Sequence, residues 1–426
     1  MMTIFDSEIL EDRQRRVAQA FGDDAPVVLI GAGEPIPKPG GHDQVYPFIP
    51  YPQYYWLTGS RRWGGVLVFD PLSGWTHFVR PVADAERLWE GGAEDVVGED
   101  VGTLNAWLVR QKDRKIVAIG VGLGGVSTEG EWAREMALRL DSVRRHLDVA
   151  ELDFVEKAVL ATAAGHKKAS EVIGQGVTER QVQIALENEM MCYGAHDMGY
   201  GTIVGAGDHA AVLHFDPSNR VIGENDLVLI DAGGAVFGYT ADVTRTYPSG
   251  EKFMLQQQAI YDIVLKAEFA AIAQCRVGVE WHDVHMVAAR VIAEGLCDLG
   301  ILKGAVDTLL ESGAVALFLP HGVGHMLGLG VRGVGGYAPG RDGTERYCGA
   351  RIRVDMPLEE DFLMTVEPGI YFVPALLDDS TKRTEFRNMV NWDKLDSWRP
   401  VGGVRIEDNV LITSGEPQVL TEAIPK

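Results

Sequence analysis

Residues 402–413, GGVRIEDNVLIT, form an apolar strand pattern that carries charged side chains at its centre. Arg405 and Glu407 are two positions apart, so in a strand they project to the same face. An ionised acid inside a buried strand costs several kcal/mol unless a cation compensates it. This stretch therefore predicts a strand whose centre faces a charged site rather than an apolar core.

Three more strand patterns carry an acid in the same way. They are NDLVLIDAGG (225–234) with Asp231, YTADVTRTYPSG (239–250) with Asp242, and FLMTVEPGIYF (362–372) with Glu367. Few lysines or arginines lie near these acids in sequence, so divalent metal ions are the more obvious compensation. Carboxylates with a histidine nitrogen suit Mn²⁺, Co²⁺ or Zn²⁺, and two such ions ~3.5–4 Å apart hold a hydroxide as a nucleophile.

A histidine pair lies in PHGVGHMLGLGVRG (320–333), where His321 and His325 are four residues apart. Pro320 and the frequent glycines argue against a stable helix. Gly322 stands where the zinc motif H-E-x-x-H has its glutamate. From this stretch alone, a metal or catalytic role and an ordinary turn with a core histidine remain equal alternatives.

The regular patterns predict two domains, as the length of 426 residues also does. Strand patterns at 27–31, 65–69 and 116–120, with an amphipathic stretch at 128–147, predict a small α/β domain over residues 1–148. Helical patterns at 151–173, 179–193, 254–275 and 281–299 alternate with the acid-bearing strands. The second domain, residues 149–426, is therefore predicted to be α+β.

Composition excludes several classes of partner. Lys plus Arg number 39 against 61 Asp plus Glu, and the net charge of −22 predicts no nucleic-acid binding because phosphate backbones are repelled. The four cysteines form no C-x-x-C pair, which fits a reducing compartment. No apolar run approaches the ~18–20 residues that cross a bilayer, and the charged N-terminus has no signal-peptide pattern. We predict a cytoplasmic protein without membrane contact.

In this order the motifs resemble those of the M24 "pita-bread" metallopeptidases, and among these prolidase and aminopeptidase P, which cleave bonds preceding proline. The motifs are GAGDHAAVLHF (205–215), LIDAGG (229–234), YTADVTRTYP (239–248), LPHGVGHMLGL (319–329), TVEPGIYF (365–372) and GGVRIEDNVLIT (402–413). The resemblance implies a pita-bread catalytic domain at 149–426. More weakly, residues 1–148 resemble the creatinase-type domain that those enzymes carry.

The resemblance implies a dinuclear metal site with Asp231, Asp242, His325, Glu367 and Glu407 as ligands. Asp242 and Glu407 would bridge two divalent ions, with Mn²⁺ favoured and Zn²⁺ or Co²⁺ as alternatives. The implied reaction is attack of a metal-bridging hydroxide on the carbonyl before proline, with Glu367 accepting the proton and helping to deliver it to the leaving nitrogen.

Further residues have implied roles around the substrate. His214 and His321 would position it, and Arg405 and Arg353 would lie around the ligands and the substrate carboxylate. Tyr200 would support the first ligand aspartate, as residues behind metal ligands do.

The chain departs from the family pattern after its second histidine. Prolidases and aminopeptidases P usually continue as L-x-[VI]-H-D-V-G-G, whereas this chain has LGLGVRGVGG (327–336). Arg332 replaces a histidine that contacts the substrate, and Gly333 replaces the aspartate. Arg332 either binds the carboxyl end of a dipeptide through a bidentate pair or points into solvent, and both alternatives remain open.

The predicted function is hydrolysis of the Xaa-Pro imide bond of dipeptides, as in prolidase. Xaa-Pro aminopeptidase action on longer peptides is the alternative, and a non-catalytic binding protein is remote because all five ligand types are present. We expect a homodimer, with the aromatic segment 45–59 as a candidate contact. Segment 374–400 lies between two ligand strands and is either a lid or wall of the pocket or a surface excursion.

Overall fold

The computed structural model describes residues 4–41, 43–91, 97–121, 123 and 125–426. The chain divides into two compact units, Met1–Arg144 and Arg145–Lys426. Among the described residues, no helix combines the length and the apolarity needed to cross a membrane.

The first unit contains a mixed five-stranded sheet. Its strands are β1 (Val27–Gly31), β2 (Val66–Asp70), β3 (Gly74–Val79), β4 (Glu99–Asp100) and β5 (Ile116–Ile119). Their order is β4-β3-β2-β1-β5, with β1 antiparallel to β2 and parallel to β5. The three strands that the sequence predicts correspond to β1, β2 and β5, because each apolar run ends at a residue that breaks a strand.

Helices accompany this sheet in the same unit. They are α1 (Ser7–Phe21), α2 (Pro52–Thr58), α3 (Asp84–Glu90), α4 (Leu104–Arg110) and α5 (Glu131–Arg144). The amphipathic stretch at 128–147 forms α5, which packs against α1. In the aromatic segment, Tyr54 and Trp56 of α2 are buried, whereas Tyr46 and Ile49 before it are exposed.

The long helices of the second unit lie where the sequence predicts them. They are α6 (Val149–Val172), α7 (Glu179–Cys192), α8 (Leu255–Gln274) and α9 (Trp281–Asp298), followed by the shorter α10 (Val306–Ser312), α11 (Pro374–Leu377), α12 (Ser380–Glu385) and α13 (Trp392–Leu395). Capping boxes fix two of the starts, at Asp148 with Glu151 and at Thr178 with Gln181. These side chains bond the N–H groups that a helix start leaves unpaired.

The second unit also contains short strands in several small sheets. They are β6 (Asp197–Met198), β7 (Ile203–Ala206), β8 (Leu227–Asp231), β9 (Gly234–Val236), β10 (Tyr239–Thr240), β11 (Thr244–Pro248), β12 (Gly336–Tyr337), β13 (Arg346–Tyr347), β14 (Ala350–Arg351), β15 (Val354–Asp355), β16 (Leu363–Val366), β17 (Gly369–Tyr371), β18 (Gly403–Arg405), β19 (Asp408–Leu411) and β20 (Gln418–Val419). The predicted ligand strands lie in three of these sheets, whose strand orders are β11-β8-β7, β16-β19-β20 and β17-β18.

The main core of this unit lies under α8 and α9, which pack against each other. Trp281 and Ile292 of α9 are fully buried there beside Val366 and Val404 of the strands. Segment 374–400 adds Leu377, Phe386 and Leu395 to the same core. These side chains anchor the segment to the unit.

Candidate metal centre

Three of the four predicted acidic ligands lie where the structure divides a predicted strand. Asp242 lies between β10 and β11, Glu367 between β16 and β17, and Glu407 between β18 and β19, while Asp231 ends β8. β16 pairs with β19, whereas β17 pairs with β18. The prediction of unbroken strands was wrong because the chain changes its strand partner at the acid, which periodicity cannot reveal.

These breaks surround a cavity of about 360 Å³. Every residue that the sequence predicts for the site lines it: Tyr200, His214, Asp231, Asp242, His321, His325, Arg332, Arg353, Glu367, Arg405 and Glu407. Other lining residues include Leu213, Asp216 and Val331. Among the described residues that line the cavity, none comes from segment 374–400. Arg405 and Glu407 both line this cavity.

Asp242, His325 and Glu407 bring potential metal-binding atoms within 4.8 Å of one another. The Nε2 atom of His325 lies 3.4 Å from Asp242 Oδ2 and 3.8 Å from Glu367 Oε1. Its Nδ1 atom lies 2.8 Å from the carbonyl oxygen of Met326. Because a carbonyl only accepts, Nδ1 donates, and in the neutral ring the lone pair of Nε2 faces the carboxylates.

The acids of this cavity are poorly compensated by protein groups. Burial raises the pKa of Asp242 to about 6; the His325 hydrogen bond opposes this shift, and the charge of Asp231 adds to it. Burial, and then the charges of Asp242 and Glu367, raise the pKa of Glu407 well above its ordinary value. A bound cation would relieve both effects. The donor set of carboxylates and one imidazole therefore fits divalent metal ions.

Asp231 is the acid that the protein compensates directly. Arg405 Nη2 donates to Asp231 Oδ2 at 2.6 Å, and the Tyr200 hydroxyl donates to Asp231 Oδ1 at 2.6 Å. Burial raises the pKa of Tyr200, so its hydroxyl remains a donor. These two bonds fix the orientation of the carboxylate, as residues behind metal ligands do.

Thr244 connects Arg405 to Glu407, and sequence reasoning missed it. Its hydroxyl accepts from Arg405 Nε at 3.0 Å and donates to Glu407 Oε2 at 2.7 Å. The available signal was its position two residues after Asp242 in the motif at 239–248. The hydroxyl sets the orientation of the glutamate.

Tyr371 is a second residue that sequence reasoning missed, although it lies inside the motif at 365–372. Its hydroxyl accepts from Arg405 Nη1 at 3.0 Å and contacts His321 Nε2 at 2.8 Å. His321 Nδ1 contacts the carbonyl oxygen of Gly322 at 2.8 Å and so donates to it, which leaves Nε2 to accept from the tyrosine. Burial lowers the pKa of His321 to about 3 and raises that of Tyr371 to about 12. Both nitrogens of His321 are thus engaged by protein groups, and its substrate role stays a prediction.

Several polar side chains of the cavity are exposed to solvent. His214 and Asp216 are exposed, as are Arg332 and Arg353. Arg353 Nη1 lies 4.0 Å from Glu367 Oε1. Asp216 was not predicted, because a single acid after the motif at 205–215 has no distinguishing pattern.

Known proteins share both the sequence and the fold. Residues 153–414 match metallopeptidase family M24. The chain belongs to this family. As an M24 member, it is 30% identical over 400 residues to a probable Xaa-Pro aminopeptidase of Botryotinia fuckeliana, covering 90% of this chain and 86% of the relative. It is 33% identical over 278 residues to human Xaa-Pro dipeptidase, covering 64% and 56% of the two chains.

Solved structures of family members resemble the whole chain. Pseudomonas aeruginosa aminopeptidase PepP superposes with a TM-score of 0.81 at 27% identity, covering 100% of this chain and 97% of that one. E. coli aminopeptidase P with the inhibitor Pro-Leu superposes with a TM-score of 0.80 at 26% identity, covering 99% of this chain and 96% of that one. The predicted fold class, an N-terminal α/β domain followed by a pita-bread domain, is confirmed.

Proposed function

We propose that this M24 metallopeptidase hydrolyses the imide bond that precedes proline. The observation that carries the proposal is the convergence of four acids and one histidine, from separate strands and loops, on one cavity. The names of the relatives, Xaa-Pro aminopeptidase and Xaa-Pro dipeptidase, support the choice of bond.

Two divalent ions would be held by Asp231, Asp242, His325, Glu367 and Glu407. The carboxylate-rich donor set favours Mn²⁺, with Zn²⁺ and Co²⁺ as alternatives. When bound, such ions supply Lewis acidity toward the scissile carbonyl and lower the pKa of a water molecule.

Glu367 is suited to move the proton. No described residue donates a hydrogen bond to its carboxylate; the nearest basic side-chain nitrogens, His321 Nδ1 and His325 Nε2, each lie 3.8 Å from one of its oxygens. Its oxygens are therefore available to accept a proton from the attacking water and to pass it to the proline nitrogen. The proline nitrogen needs that proton because it would otherwise leave as an anion when the C–N bond breaks.

The other residues of the site hold groups in place. Arg405 supports Asp231 and, through Thr244, Glu407. Tyr371 keeps His321 in one orientation, and the exposed His214 is available to contact a peptide that enters from solvent. These positions reduce the reorganisation required during the reaction.

Peptide length separates two forms of this activity. The names of the fungal relatives and of the solved structures favour aminopeptidase P action on longer peptides. The dipeptidase form is favoured by one specific observation: Arg332 lines the cavity, and no described residue forms a hydrogen bond or salt bridge with it.

We further propose a cytoplasmic homodimer. All four cysteines are free, as expected in a reducing compartment. The exposed apolar residues Tyr46 and Ile49 support segment 45–59 as a candidate contact. Light scattering tests the assembly, and a monomeric mass would contradict it.

The proposed function is tested with metal-stripped protein and the peptides Ala-Pro, Ala-Pro-Ala and Ala-Ala-Ala. We expect cleavage of at least one of the two proline peptides only after Mn²⁺ is added, and no cleavage of Ala-Ala-Ala. Equal cleavage of Ala-Ala-Ala would contradict the proline assignment. Full activity of the stripped protein would contradict the metal dependence.

A further inference from the structure

Arg332 is a charged side chain of the cavity for which the proposed function gives no task. It lines the cavity and is exposed to solvent. No described residue gives it a hydrogen bond or a salt bridge. An arginine that only solubilises a surface does not need to lie inside a site of this kind.

The backbone that carries Arg332 is well anchored. Thr240 N–H donates to the carbonyl of Gly328 at 3.1 Å, and Gly330 N–H donates to the carbonyl of Gly238 at 2.8 Å. Gly333 follows with φ +51, a left-handed conformation that favours glycine. These hydrogen bonds hold the backbone just before Arg332, whose side chain lines the cavity.

A second guanidinium lies close to Arg332. Arg353 lines the same cavity, and partial desolvation and then the charge of Arg332 lower its pKa. Its nearest acid, Glu367, is 4.0 Å away and is one of the proposed metal ligands. If the ligand carboxylates hold cations, both guanidiniums are left without a protein anion.

We propose, resting on the proposed function, that Arg332 binds the α-carboxylate of the proline after the scissile bond and so selects Xaa-Pro dipeptides over longer peptides. A guanidinium matches the two oxygens of a carboxylate, and Arg353 adds a second positive charge beside it. In the family pattern that the chain resembles, a histidine occupies the position of Arg332. A histidine cannot form such a bidentate pair. A longer peptide presents a neutral carbonyl at this point and gains less binding free energy from Arg332.

The test compares Ala-Pro with Ala-Pro-amide, which differ only in the charge at this group, using the Mn²⁺-loaded enzyme. We expect kcat/KM for the acid to exceed that for the amide by about 10-fold to 100-fold, the range expected for a charged hydrogen-bond pair. In Arg332→Gln this ratio falls at least fivefold, and in Arg332→Lys it falls less. Arg290→Gln is the matched control, an exposed arginine outside the cavity that pairs with Asp307, and it keeps the wild-type ratio.

Two results would overturn the proposal: equal kcat/KM values for acid and amide in the wild-type enzyme, or a preference that Arg332→Gln leaves intact. Cleavage of both peptides at equal rates would retain the proposed function while rejecting the role of Arg332. Calorimetric binding of L-proline and L-prolinamide adds a measurement without turnover. Tighter binding of L-proline that is lost in Arg332→Gln supports the carboxylate site even if no Xaa-Pro peptide is cleaved, whereas equal binding of the two compounds contradicts it.

Discussion

Among the described residues, two groups of acids with a histidine bring potential metal-binding atoms within 4.8 Å of one another, and they differ in what compensates their charge. The groups are Asp242, His325 and Glu407 in the cavity, and Glu280, His282 and Asp355 at the start of α9 and in β15. Both offer the residue types of a divalent metal site. A comparison of spacing alone would treat them as equivalent.

Arg341 compensates the second group. Its two terminal nitrogens lie 2.6 and 3.1 Å from the oxygens of Glu280, and Nη1 also lies 2.9 Å from Asp355 Oδ1. The hydrogen bond from Arg341 holds the pKa of Glu280 below its usual range. Burial favours neutral Asp355, but hydrogen bonds from His282 and Tyr347 and the charge of Arg341 outweigh it and lower the pKa.

In the cavity group, burial outweighs the stabilising hydrogen bonds and charges, so the pKa values of the acids are raised. The pKa of Asp242 is raised to about 6 and that of Glu407 is raised well above its ordinary value, in both cases chiefly by burial. The hydrogen bonds of Arg405 go to Asp231, Thr244 and Tyr371. Charge that the protein leaves uncompensated, rather than donor spacing, therefore distinguishes a metal site from an ion-pair network.

The largest expected effect comes from removing one charge in each group. Glu407→Gln should lose bound metal and about 10³-fold in kcat/KM, because Lewis-acid stabilisation contributes several kcal/mol. Glu280→Gln is the matched change in the other group. It should leave the metal content of the protein unchanged and kcat/KM within about twofold of the wild-type value. Elemental analysis and peptide assays measure both properties. Metal loss from Glu280→Gln, or full retention in Glu407→Gln, would remove the distinction between the groups.

A smaller effect is expected from removing the compensating arginine. Arg341→Gln should lower Tm at pH 7 by about 3–5 °C, because Glu280 and Asp355 lose their partner. Their folded pKa values are lowered, so this contribution to stability is present above the unfolded pKa of about 4 and is lost as the pH falls through the folded values. The difference from wild type should therefore shrink on acidification.

Arg290→Gln serves as the control for this variant, since it removes an exposed pair with Asp307. Exposed pairs contribute little, so its Tm should change by no more than about 1 °C. Thermal unfolding of wild type and both variants, measured from pH 3 to pH 7, tests these Tm differences. A Tm difference for Arg341→Gln that grows toward low pH would show that the arginine does not stabilise ionised acids.

The smallest expected effect concerns the cavity without metal. The folded pKa of Asp242 is raised to about 6, so its favourable contribution is present below the unfolded value of about 4 and is lost as the pH rises through 6. Metal-stripped protein should therefore lose about 2 °C in Tm between pH 5 and pH 7. Calorimetry should find no such loss in Mn²⁺-loaded protein, where the carboxylate is compensated, or in stripped Asp242→Asn. Parallel curves for the stripped and loaded protein would contradict the raised pKa.

Much of the fold was predictable from the sequence because its signals are local. The long helices follow from apolar periodicity and capping residues, and β1, β2 and β5 follow from short apolar runs. The same local patterns predicted unbroken strands at 362–372 and 402–413, which the structure divides at Glu367 and Glu407. A change of strand partner depends on distant segments and leaves no period in the sequence.

The sequence by itself predicted residues that the structure places around one cavity, because acids inside apolar strands are costly and the order of the motifs resembles one family. Only the tertiary structure showed that Thr244 and Tyr371 link Arg405 to Glu407 and His321. It likewise showed that Arg341 satisfies one acidic group while the other remains uncompensated. Compensation of charge acts through space between segments far apart in the chain, so the folded chain alone decides which acids need a metal ion.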